Sequence, residues 1–110
     1  MNRFTAYITS LWKRSSLHYF LGFPPEEYWN LDTYAARWIL PRLKALRENT
    51  SVHPRGLSME QWQNTLDKMI FSFEYYSKGD YTNMQLPRKD ERDVQRGLDL
   101  FAKWYSQLWY

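Results

Sequence analysis

A 110-residue chain without cysteine has the size of one domain and can form neither a disulfide framework nor a thiolate metal site. Its 44% hydrophobic and 25% charged residues are the balance of a folded globule, which excludes a disordered chain. The formal charge of +3 suits an anionic partner without requiring one, and disfavours a nucleic-acid binder built on a basic stripe.

Phe4, Tyr7, Ile8, Leu11 and Trp12 recur at i, i+3, i+4, i+7 and i+8, the spacing of one helical face. Arg3, Lys13 and Arg14 add charge, the last two where cations suit a helix C-terminus. Residues 1–27 therefore read as an N-terminal amphipathic helix and linker. Docking on the domain core is favoured over lying on an anionic membrane, because three cations are few for an interfacial helix. The N-terminus lacks a continuous apolar h-region, and no run of about 18 apolar residues occurs, so neither a signal peptide nor a membrane span is expected. Gly22 with Pro24 and Pro25 ends whatever precedes the next segment.

The stretch from Trp29 to Asn49 reads as a central amphipathic helix with Asp32 as N-cap. Ala35, Leu43 and Leu46 fall within about 40° of Ile39 on the helical wheel, which makes Ile39 the centre of the expected core face. Pro41 removes one backbone donor mid-helix and predicts a kink. Arg42 lies about 60° from Ile39, inside the apolar stripe. A guanidinium aimed at a core needs an anion.

A polar loop through Asn49–Gly56 follows, and then a well-marked helix start. Ser58 and Gln61 form a capping box, with Leu57 and Trp62 at the two ends of a hydrophobic staple. Trp62, Leu66, Met69, Ile70 and Phe73 line one face, with Asp67 and Glu74 on its flank. Lys78–Arg88 reads as a long loop, and a last helix is expected to begin near Asp90. Its core face is Val94, Leu98, Phe101, Tyr105 and Leu108, and Gly97 would permit close helix approach. The expected fold is all-α: one compact bundle of about four helices in a single domain over 1–110, the central helix kinked at Pro41. With 19% aromatic residues, some Trp or Tyr must stay exposed.

Three blocks carry a resemblance. They are Trp29-Asn30-Leu31-Asp32 running into Ile39-Leu40-Pro41-Arg42-Leu43-Lys44, then Leu66-Asp67-Lys68-Met69-Ile70 through Phe73-Glu74, then Gly97-Leu98-Asp99-Leu100-Phe101-Ala102-Lys103-Trp104-Tyr105 with Leu108-Trp109. In this order they resemble a widespread family of small, uncharacterised bacteriophage proteins, over residues 28–110. The resemblance implies an all-helical phage protein in the host bacterial cytoplasm, and it supplies no catalytic residues to carry over.

Arg42 with Asp67 and Glu74 is the sharpest constellation. Its structural reading is an internal ion pair that fixes helix register. In the functional reading, Arg42 clamps a phosphate with Arg37, Lys44 and Lys68 beside it, and Trp29, Trp38, Trp62 or Trp104 stacks a base. At helical spacing such tryptophans are more often core. Asp67 and Glu74 lack the marks of an acid–base pair, and His18 and His53 lack ligand spacing, so no catalysis, metal or cofactor is expected. The expectation is a non-enzymatic phage accessory protein that acts by binding. One candidate partner is an anionic small molecule, such as a nucleotide-type immune signal sequestered in counter-defence. The alternative is a protein–protein module that inhibits a host protein or serves phage assembly. Nucleic acid is the weaker candidate, and a homo-oligomer is compatible with either reading.

Overall fold

The computed structural model describes residues 22–79 and 88–110; the amphipathic segment expected around Phe4 to Trp12 lies outside them. Four helices are described: α1 Glu26–Trp29, α2 Leu31–Asn49, α3 Met59–Ser77 and α4 Arg88–Trp104, the last followed by a 3-10 turn at Tyr105–Gln107. No strand occurs among the described residues, and the fold is a small all-α bundle. None of these helices is long and apolar enough to cross a membrane.

The helix starts follow local chemistry. In α3 the reciprocal capping box forms as the sequence dictates: the Gln61 backbone N–H donates to Ser58 Oγ at 3.1 Å, and the Ser58 N–H donates to Gln61 Oε1 at 2.8 Å. In α2 the start differs from the expected one. Asn30 occupies the N-cap without a side-chain bond, while Asp32 sits inside the first turn and accepts from the Thr33 N–H at 2.9 Å. There its carboxylate still faces the positive end of the helix dipole. α2 continues through Pro41 for 19 residues, although Pro41 leaves the Arg37 carbonyl without its usual donor.

The element at the centre is α3 rather than α2: α2 and α4 each pack chiefly against it. Trp62, Leu66, Met69 and Phe73 of α3 are buried with Ala36 and Leu43 of α2, and Val94 is buried on α4. The buried stripe of α2 runs through Thr33, Ala36 and Leu43, with Leu40 packed beside it. That stripe is turned about 60° from the expected centre at Ile39. Sequence periodicity allowed either choice, because Ala35-Ala36 and Ile39-Leu40 put apolar residues on two adjacent stripes.

The α3–α4 contact is close at Gly97. A side chain there would meet Ser72 and the Lys68 carbonyl, and Ser72 Oγ donates to the Val94 carbonyl at 2.5 Å. Two edge-to-face ring pairs continue the packing: Phe73–Phe101 with centroids 4.9 Å apart, and Trp62–Trp104 at 6.0 Å.

Candidate functional site

Turning the buried stripe toward Ala36 has a consequence for the stripe beside it. Ala35, Ile39 and Leu46 end on a half-buried flank of α2, where Ile39 and Leu46 still touch the core and all three form one wall of an apolar groove. The opposite wall comes from the end of the chain. After α4 closes at Trp104, the 3-10 turn redirects the backbone and sets Tyr105, Leu108, Trp109 and Tyr110 against that flank. The groove has a volume of about 650 Å³. Large rings stand exposed along it, with Trp38 at 62%, Trp109 at 57% and Tyr105 at 67%.

Among the described residues, Arg42 is the one charged side chain that lines the groove. It is exposed, and its guanidinium lies 3.9 Å from the centroid of the Trp38 ring, one helical turn away. Its Nη1 donates to the Trp38 carbonyl at 2.8 Å. The ring contact and the hydrogen bond tie the guanidinium to Trp38, and most of its N–H donors make no further hydrogen bond among the described residues.

The ion pair expected between Arg42 and Asp67 or Glu74 does not form. Asp67 is bound instead by Arg47, with Nε to Oδ1 at 3.0 Å, and Glu74 by Lys44 at 3.2 Å. The rotation of α2 explains the exchange. With Ala36 and Leu43 facing α3, Arg47 and Lys44 lie on the side toward the α3 flank, whereas Arg42 is about 120° away from Ala36. The hydrogen bond to Asp67 and its charge raise the Arg47 guanidinium pKa above the usual arginine value. Both pairs are solvent-exposed, so they tune register weakly.

The basic cluster expected around Arg42 is dispersed. Arg37 donates to the Ser77 carbonyl at 2.9 Å, Lys44 is paired with Glu74, and Lys68 lines a separate cleft beside Asp67, Asp93 and Arg96. The tryptophans separate too. Trp104 packs on the buried Trp62, Trp29 lies edge-on to Tyr28, and of the four expected to stack a base, Trp38 is the one in the groove. Among the described residues no group of three or more His, Asp and Glu side chains is placed to hold a metal ion.

An inward Arg42 should cost the fold heavily when lost; the exposed Arg42 observed here should not. Arg42→Ala is expected to leave the thermal midpoint within a few degrees of the parent, as surface substitutions usually do. A collapse of the midpoint in a thermal melt would restore Arg42 to a folding role.

Ala35, Ile39, Leu43, Leu46, Phe101, Tyr105 and Leu108 of the groove are all expected core-face residues; most of them do pack on the core, whereas Tyr105 stands 67% exposed. Tyr110 went unremarked. The available signal was density: Trp104, Tyr105, Trp109 and Tyr110 crowd into the last seven residues, more rings than one helical stripe can bury. No family model, curated protein or solved structure matches the chain.

Proposed function

We propose that this chain is a non-enzymatic phage accessory protein that acts in the host bacterial cytoplasm by binding another polypeptide. The phage assignment rests on the three-block resemblance, and the mode of action on the groove. Its two walls present exposed Trp and Tyr around a single guanidinium, and Trp, Tyr and Arg are the side chains that dominate protein–protein hot spots. A nucleotide would need its phosphates held by several converging donors or by a helix N-terminus. Arg37, Lys44 and Lys68 point elsewhere, and the groove's second wall begins where α4 ends, the end of a helix that repels anions. Sequestration of a nucleotide signal keeps one supporting observation: Arg42 stands in the groove with no carboxylate partner among the described residues.

Native mass spectrometry of the protein purified from phage-infected host cells tests the choice. The expected result is a co-purifying polypeptide that is lost from Trp38→Ala, since truncating a hot-spot tryptophan costs about 2 kcal/mol or more of binding. An added mass in the nucleotide range, lost on Arg42→Ala, would replace this reading with sequestration. A polypeptide retained by Trp38→Ala and Trp109→Ala alike would move the interface away from the groove.

A further inference from the structure

The groove also specifies what kind of polypeptide fits it, an inference that rests on the polypeptide-binding reading. Its α2 wall runs from Ala35 to Leu46, about 16 Å at 1.5 Å per residue, or three turns of a helix laid alongside. That wall is continuous side-chain surface on a regular helix, with no free strand edge to which an extended peptide could add. The walls are apolar and aromatic, and the one charged side chain among their described residues is positive. Arg42 is held by the Trp38 ring and carbonyl, so its fork is already oriented before anything binds. Among the described residues no Asp or Glu lines the groove.

We propose that the groove receives one amphipathic α-helix of a partner protein, apolar side chains down, with an Asp or Glu of that helix on the Arg42 guanidinium. Charge separates this occupant from two others. Residues 1–21 carry an apolar pattern but contain Arg3, Lys13 and Arg14 and no carboxylate, so this chain's own N-terminal segment offers Arg42 no anion. A second copy docked groove to groove about a two-fold axis would bring one Arg42 toward another, with no Asp or Glu side chain from the described residues of either wall.

The test is a selection of peptides on the full-length protein from a displayed library of about 16-residue helices, with randomised apolar and flanking positions. The expected winners carry Leu, Phe or Met at i, i+3 or i+4, and i+7, with an acid fixed at one position relative to that stripe. Arg42→Glu should weaken a winning peptide about tenfold or more, and Lys in place of the peptide's acid should restore it. Thermal melts of Arg42→Glu confirm that the variant is folded. Winners with the apolar stripe but no preferred acid, unaffected by Arg42→Glu, overturn this inference and leave polypeptide binding standing. Winners rich in basic residues point to the chain's own N-terminal segment and overturn it as well. A dimer in sedimentation that Trp109→Ala dissolves assigns the groove to a second copy. If no helix is enriched over a Trp38→Ala control, both the inference and the polypeptide reading fall.

Discussion

Replacing Gly97 by Ala is expected to destabilise the fold by about 2 kcal/mol or more, even though alanine is the better helix former. The added Cβ would overlap Ser72 Oγ and the Lys68 carbonyl oxygen, and it would sit 2.8 Å from Ser72 Cβ. A long flexible side chain would swing aside. A backbone carbonyl inside α3 cannot, so α3 and α4 must separate. Separation would also stretch the Ser72–Val94 hydrogen bond and open the ring contact between Phe73 and Phe101. Alanine gains about 1 kcal/mol in intrinsic helix preference, so the measured loss understates the steric cost. Urea unfolding followed by circular dichroism would report it as a lower midpoint at unchanged slope. Adding Ser72→Gly should recover part of the loss but not all of it, because the Lys68 carbonyl remains. An unchanged or raised midpoint for Gly97→Ala would show that the two helices part freely, and the close crossing would not be a requirement of the fold.

That crossing was legible in the sequence, as was the Ser58 capping box, because both are local. One glycine in an otherwise strong helix, or an N-cap followed at the right spacing by Gln61, admits few readings. The rotation of α2 was not legible in the same way. Ala35, Ile39 and Leu46 form as good an apolar stripe as Ala36, Leu40 and Leu43, and only contact with α3 decides between them. Everything said of Arg42 turned on that decision. Centred on Ile39, the helix aims Arg42 at the core and calls for a carboxylate; centred on Ala36, it puts Arg42 on the outside and hands Asp67 to Arg47. The candidate site followed the same logic. The flank centred on Ile39, which meets the core only in part, is one wall of the groove, and the other wall comes from the end of the chain, about 60 residues further on and in no fixed spacing to the first. Charge pairing misled in a further respect. Lys44 and Arg37 read as companions of Arg42 in the linear sequence, yet on the helix they fall on its far side.

Trp62→Ala should be the most damaging single replacement, at about 3–5 kcal/mol, against a total stability of about 5–15 kcal/mol for a domain of this size. Trp62 is 1% exposed at the first turn of α3, where Leu57 packs against the same core, and its ring meets Trp104 edge-on at 6.0 Å. Truncation leaves a cavity that backbone on both sides cannot collapse into without shifting α3. Trp62→Phe keeps a ring in place and should cost well under half as much. A double cycle of Trp62→Phe with Trp104→Phe would measure the coupling of the two rings, expected at about 1 kcal/mol. The contact matters beyond stability. Trp104 is the residue immediately before the 3-10 turn, so the core position of Trp62 sets where Tyr105, Trp109 and Tyr110 can stand. Trp62→Phe should therefore weaken a groove-bound helix by more than its small stability cost implies, measured at a temperature where the variant is fully folded. If binding is untouched while the melting temperature falls, the groove wall is held by Phe101 and Leu108 against α2, and the ring pair serves the core alone.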